Sequence, residues 1–251
     1  MSGNRAARIA LLVAEEAARR GRPLSLVDVC ASAVAALPIG GAGVSAMSPT
    51  VVSYPLCSTD AASEQLLELQ LTLGEGPCVD AFARGSTVWA PDLSADEAQG
   101  RWPVFAPAAV DAGARAVYAF PLQIGAISPG VLDLYSQLPL VLSASELTEA
   151  MAFADCATLV LLNTRAAERE GIAAGLDGGL GGYRAEIDQA TGMLTGQIGV
   201  GIEEAFIRLR AYAYAQDRRL SEVAADVVNR RLRFPPDPGP DPVPNAISDA
   251  P

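Results

Sequence analysis

Eight arginines lie between residues 184 and 233: Arg184, Arg208, Arg210, Arg218, Arg219, Arg230, Arg231 and Arg233. A guanidinium keeps its charge at any physiological pH and presents a planar fork of donors that matches phosphate oxygens and base edges. Tyr212 and Tyr214 are interleaved with these arginines. Arg208 and Tyr212, at i and i+4, share one helical face, and an exposed phenol ring can stack on an unpaired base for roughly 1–3 kcal/mol. Arg208 and Arg210, two apart, point in different directions. The blander alternative is that the tyrosines rim a helical core, while Arg230, Arg231 and Arg233 offset a helix C-terminus. Nucleic-acid binding needs these groups open on one surface; pairing with the chain's own carboxylates would close it.

The absences narrow the chemistry further. The chain has no His and no Lys, so a nucleophile–histidine relay, histidine metal ligation and a P-loop are all excluded. Cys30, Cys57, Cys78 and Cys156 are widely spaced, without a CxxC pair, as expected of free thiols in a reducing compartment. Cys78 follows a Gly-Pro turn into a helix, where a helix N-terminus can depress a thiol pKa; a redox role is one reading and a buried small residue the other. Adjacent carboxylates such as Glu15-Glu16 and Glu203-Glu204 look solvated.

The net charge of −11 argues at first against nucleic acid, but it is unevenly spread. Residues 1–183 carry 10 Arg against 19 acids, whereas residues 184–234 carry 8 Arg against 7. Three helices must position the arginines. Ile187, Ala190, Leu194 and Ile198 form one stripe, Ile202, Ala205, Phe206, Leu209 and Ala213 a second, and Leu220, Val223, Ala224, Val227 and Val228 a third. Gly199 and Gly201 separate the first two helices, and Gln216-Asp217 end the second. Helices this short need one another, which predicts a small bundle.

This stretch resembles the ANTAR family. The resemblance is carried by Ile187-Asp-Gln-Ala190-Thr191-Gly192-Met193, by Glu203-Glu204-Ala205-Phe206-Ile207-Arg208-Leu209-Arg210, and by Leu220-Ser221-Glu222-Val223-Ala224. It implies an all-α three-helix domain that binds stem-loops in nascent transcripts and so acts on RNA polymerase indirectly, by antitermination. The residues expected at the RNA are Arg184, Ala190, Thr191, Gly192, Arg208, Arg210, Tyr212, Arg218 and Arg219, with Ala190 and Gly192 as close-approach positions for RNA or a neighbouring helix. Arg219-Leu-Ser-Glu-Val-Ala224 also has the look of a helix-turn-helix start, so duplex DNA is the alternative partner.

Upstream, the pattern predicts helices over 5–20, 24–37, 59–71, 102–112 and 145–170, with a short helix after Pro77. Strands are expected over 42–47, 51–55, 87–91, 116–123 and 130–135, the last two turning at Ser128-Pro129. That is an α+β order with a largely antiparallel sheet. Leu73-Gly-Glu-Gly-Pro-Cys-Val-Asp80, Trp89-Ala-Pro-Asp92 and Ala116-Val-Tyr-Ala-Phe-Pro121 resemble a GAF domain. The resemblance implies a sensor with a small-molecule pocket between sheet and helices, near Cys78, Trp89, Phe105 and Tyr118. Some GAF relatives reduce free methionine sulfoxide with closely placed cysteines, a pattern these four do not follow.

The expected organisation is a GAF sensor over 5–168, a Gly-rich linker over 169–183, the ANTAR domain over 184–234 and a disordered Pro/Asp-rich tail over 235–251. The six glycines of Gly171–Gly182 are either a hinge passing signals or a plain spacer. Together these features resemble GAF–ANTAR antitermination regulators of actinobacterial type. That implies a binding protein rather than an enzyme, with no cofactor, acting as a homodimer. With no leader and no long apolar run, a cytoplasmic location away from the membrane is expected.

Overall fold

The computed structural model describes residues 2–48, 53–125, 127–169, 181–216 and 218–235. Two helices, α1 (Ser2–Arg20) and α2 (Leu26–Ala36), lead into five strands: β1 (Gly41–Ala46), β2 (Tyr54–Ser58), β3 (Val88–Ala90), β4 (Ala116–Ile124) and β5 (Ile127–Ser136). They form one sheet in the order β2-β1-β5-β4-β3, and every pairing is antiparallel. Between β2 and β3 run α3 (Ala61–Leu73) and α4 (Pro77–Arg84); between β3 and β4 run α5 (Asp96–Arg101) and α6 (Phe105–Asp111); α7 (Ala144–Arg169) follows β5.

Alternation along the central strands sorts side chains to two faces. Ala116, Tyr118, Phe120 and Leu122 of β4, with Leu132 and Leu134 of β5, pack under α1, α2 and α7. Val117, Ala119, Val131 and Tyr135 pack under α3–α6. Helix α3 approaches its face closely because β1 offers Gly43, where a Cβ would come 2.6 Å from the Leu67 side chain.

The expected α+β class is met by this sheet with helices on both faces. Several details differ. The β4–β5 turn falls at Gly125, whose φ of +59° suits a glycine, while Ser128 and Pro129 lie inside β5. Pro129 presents its carbonyl to Met47 N–H at 3.1 Å, a contact that does not call on the donor proline lacks. The strand expected over 51–55 is displaced to Tyr54–Ser58, and α5 has no counterpart in the periodicity.

The C-terminal part folds as α8 (Gly181–Ile198), α9 (Ile202–Ala215) and α10 (Leu220–Val228). The three predicted stripes line their shared core, except that Phe206 and Val228 are only partly buried at its edge and Ile202 is 59 % exposed. Gly199, at φ +72°, ends α8, and Gly201 caps α9. Helix α8 begins inside the segment expected as linker; residues 170–180 of that segment, and 236–251 of the expected tail, lie outside the described residues.

A small polar cluster interrupts the core under α3. Asp133 of β5 is buried, and its Oδ1 accepts from Gln70 Nε2 at 3.3 Å. Gln70 Oε1 in turn accepts from Cys78 N–H at 2.7 Å. Asp133 Oδ2 and the nearby Ser45 hydroxyl have no hydrogen-bond partner among the described residues. Burial pushes the Asp133 carboxyl up to about 7. Its pKa is thus raised above the unfolded value, so its contribution is fully present below pH ~4 and is lost as pH rises through about 7. Comparing chemical unfolding of the unaltered chain with Asp133→Asn should show this directly. The unaltered chain should lose about 1.4 kcal/mol more per pH unit between pH ~4 and ~7, and the variant should be the more stable of the two at pH 8.

Candidate functional site

The bundle does not present its arginines as one open surface. Arg208 Nη2 meets Glu204 Oε1 at 2.6 Å, one turn away on α9. Arg218 meets Asp226 at 2.7 Å and Glu222 at 3.8 Å, and these carboxylates hold its guanidinium above its ordinary pKa, the Asp226 hydrogen bond first. Arg231 also reaches Asp226, at 3.5 Å. Arg230 and Arg233 are exposed at the C-terminal end, Arg230 with φ +60°, and neither forms an ion pair among the described residues. Arg184 falls at the start of α8, with its side chain outside the described residues.

Three further residues expected at the RNA change role. Ala190 and Thr191 are wholly buried in the bundle core, and the Thr191 hydroxyl donates to Ile187 O at 2.7 Å, so neither reaches the surface. Tyr212 packs its ring on Phe234, with centroids 5.1 Å apart, and rims the core. Gly192 is exposed, and a Cβ there would meet nothing within 4 Å, so packing is not what requires a glycine. The open aromatic on α9 is Tyr214, 57 % exposed.

The remaining two arginines leave the bundle and grip α3. Arg210 Nε donates to Thr72 O at 2.8 Å, over the last turn of α3, where unpaired carbonyls and the negative end of the helix dipole favour a cation. A Cβ at Gly74, the left-handed C-cap of α3, would run into the Arg210 guanidinium. Burial lowers the pKa of Arg210, and its guanidinium also lies 5.6 Å from the Phe206 ring centroid. Arg219 lies 3.7 Å from Glu68 and 4.0 Å from Glu64, and the Ser221 hydroxyl donates to Glu68 Oε1 at 2.8 Å. Glu68 is 4 % exposed. Sequence periodicity did not single out Glu64, Glu68, Thr72 or Ser221. The available signal was an acid inside the apolar run Leu66-Leu67-Glu68-Leu69, which a helix buried on one face only would place among leucines.

The four residues expected around a ligand do not converge. Cys78 and Phe105 are fully buried under α3–α6, whereas Tyr118 lies on the opposite face of the sheet. Trp89 pairs across from Tyr118 and is 48 % exposed. The Tyr118 hydroxyl is used up by the loop before α7, donating to Leu140 O at 2.7 Å and accepting from Leu142 N–H at 3.1 Å. Burial raises the Cys78 thiol well above its ordinary value, the opposite of a reactive thiolate. Cys30 and Cys57, distant in sequence, lie with sulfurs 3.6 Å apart; that contact first, then burial, raises Cys30. The motif around Cys78 is a junction. Glu75 Oε1 accepts from Val104 and Phe105 N–H at 2.9 and 3.0 Å, Pro77 opens α4, and Asp80 pairs with Arg101 at 2.6 Å. The cavity on this side, about 10 Å³, lies between α3 and the sheet and is lined in part by Gln70, Asp133 and Tyr135. That is room for about one water.

Comparison with known proteins finds one family match and several similar structures. Residues 183–228, spanning α9, α10 and nearly all of α8, match the ANTAR domain model. No curated protein sequence matches the chain. Among solved structures, the chain is similar to the GAF domain of a phosphoenolpyruvate-protein phosphotransferase from Acinetobacter, at 13% identity over 67% of this chain and 98% of that one, TM-score 0.48. It is also similar to the corresponding GAF domain from Coxiella burnetii, at 12% identity over 65% and 98%, TM-score 0.47. A third is a domain of a two-component sensor histidine kinase protein from Sinorhizobium meliloti, at 17% identity over 58% and 93%, TM-score 0.45. The chain joins an N-terminal antiparallel sheet with helices on both faces to a C-terminal three-helix segment that matches the ANTAR domain.

Proposed function

We propose that this chain is an RNA-binding transcription antitermination regulator, in which the ANTAR bundle binds stem-loops of nascent transcripts and the GAF unit senses a small-molecule signal. The observation that carries this reading is the ANTAR match across three helices packed on one core. The ion pairs of the bundle weaken it less than their number suggests. Arg208–Glu204 is an i,i+4 pair with Glu204 half exposed, and such pairs contribute about 0.3–0.5 kcal/mol, which a phosphate can outcompete. Arg230 and Arg233 give a first point of attachment.

The chain acts by binding rather than by catalysis: its thiols at Cys30 and Cys78 are buried with raised pKa values, and it has no histidine. A homodimer is the working form. Leu11 of α1 and Met151 and Leu159 of α7 are each more than half exposed, apolar positions of the kind a second copy would cover. Among the described residues, no helix is long and apolar enough to cross a membrane, which fits a cytoplasmic regulator. Duplex DNA is the alternative partner, which the start of α10 would meet as a recognition helix does.

Titrating the full chain with hairpin RNA, unstructured RNA of the same composition and duplex DNA tests this. Hairpins should win at moderate salt; equal affinity for all three would sink the reading. Arg230→Ala with Arg233→Ala should weaken binding for every hairpin alike and reduce the salt slope by about 0.7–0.9 for each phosphate that is no longer neutralised. Tyr214→Ala should weaken hairpin binding without loss of stability, whereas Tyr212→Ala should lower unfolding stability by about 1 kcal/mol or more, because no ring then packs on Phe234. The reverse assignment would place the stacking ring at Tyr212.

A further inference from the structure

The geometry points to the bundle face bearing Arg210, Arg219 and Ser221 as its RNA-binding surface, one that α3 of the GAF unit fills here as an acidic substitute for the RNA backbone. This rests on the RNA-binding reading above and adds where RNA binds and what regulates it.

The partners that α3 offers are those a nucleic-acid strand would offer. Glu68 sets a carboxylate at the start of α10, against the Ser221 hydroxyl at 2.8 Å and Arg219 Nε at 3.7 Å. A hydroxyl, a guanidinium and a helix N-terminus form the donor set that holds a phosphate. Glu64 brings a second negative charge to the same guanidinium, at 4.0 Å. One helical turn beyond Glu68, Thr72 supplies a carbonyl oxygen to Arg210 at 2.8 Å. Arg208 and Arg218 pair with acids of the bundle; Arg210 and Arg219 reach across to α3 instead.

The contact is also of a kind that RNA can displace. It is built on charge and hydrogen bonds, and a buried ion pair returns little net stability once the cost of desolvation is met. What breaking it leaves behind, a carboxylate and a guanidinium, is costly only if they stay buried. Separation of α3 from the bundle returns Glu68 to water and gives Arg210 and Arg219 to phosphates. The RNA-competent face and the docked α3 therefore exclude one another.

Two substitutions open the contact from opposite ends in the full chain. Glu68→Gln removes the charge but keeps the volume and an acceptor for Ser221. Gly74→Asn keeps a residue that tolerates the left-handed C-cap while placing a Cβ against the Arg210 guanidinium. The probe is a labelled pool of RNA hairpins with randomised loops, with amide hydrogen exchange of α3 as a second readout. Each variant should bind the pool roughly tenfold more tightly than the unaltered chain, within the usual range for coupling between two sites. Adding Arg219→Ala to Glu68→Gln should cancel the gain. RNA added to the unaltered chain should speed exchange in the last turn of α3. Equal, measurable affinity of all the proteins, a gain that survives Arg219→Ala, or α3 exchange unmoved by bound RNA each overturns the shared surface while leaving RNA binding standing. Failure of every protein to bind any hairpin overturns the RNA-binding reading itself, and this inference with it.

Discussion

Helix α3 must satisfy two neighbours that want different chemistry. Its inner side lies on the sheet, with Leu67 over Gly43 and Gln70 hydrogen-bonded to Asp133. Its outer side meets the bundle through Glu64, Glu68 and the carbonyl of Thr72. Few residues of a surface helix are caught this way, and the consequence is a helix with buried polar groups on opposite sides: Gln70 is wholly buried and Glu68 nearly so. Each such group costs about 1–3 kcal/mol if its partner is removed and not replaced. The position of α3 is thereby set by hydrogen-bond satisfaction as much as by apolar area.

The start of α3 is pinned while its end is not held in the same way. Asp60 caps the helix by accepting from Ser63 N–H at 2.7 Å, and the Tyr135 hydroxyl donates to the same carboxylate at 3.2 Å. Burial first, and then Asp60, pushes the Tyr135 phenol up to about 12, so the phenol remains a donor at any physiological pH. The far end turns through Gly74, carries Arg210, and passes at once into Glu75 and Gly76, which lead to α6 and α4.

The bundle was legible in the sequence because its periodicity was strong: three stripes of apolar residues predicted three helices, and those residues form its core. The sheet was legible as alternation and antiparallel order, and less so in its boundaries. A Ser-Pro-Gly run looks like a turn, but the left-handed backbone was needed at Gly125 instead. What holds each candidate site residue was not legible, for a physical reason. Motif positions say that a residue is constrained, not by what. Cys78, Phe105 and Tyr118 are constrained by packing, and period-2 alternation places Tyr118 on the other face from Cys78. Arg210 and Arg219 were visible as charge, but their partners lie more than a hundred residues away on α3, a separation no local pattern encodes.

On the proposed RNA-binding reading, charge also decides how the two occupants of the bundle face, α3 and RNA, compare. The part of the chain up to residue 183 carries nine more acids than arginines, so it repels RNA at long range, though screening confines that repulsion to about 10 Å in ordinary salt. Against the bundle it contributes two carboxylates and a carbonyl, from within the same polypeptide and hence at a high effective concentration. RNA brings many phosphates, and binding it releases counterions, a gain that grows steeply as salt falls. The tethered contact exchanges few ions and responds weakly to salt. The balance between docked and RNA-bound forms is therefore not a fixed property of either surface. It is set by how many phosphates the bundle can reach once α3 has left, and a hairpin that also reaches Arg230 and Arg233 has the advantage over one that meets only Arg210 and Arg219.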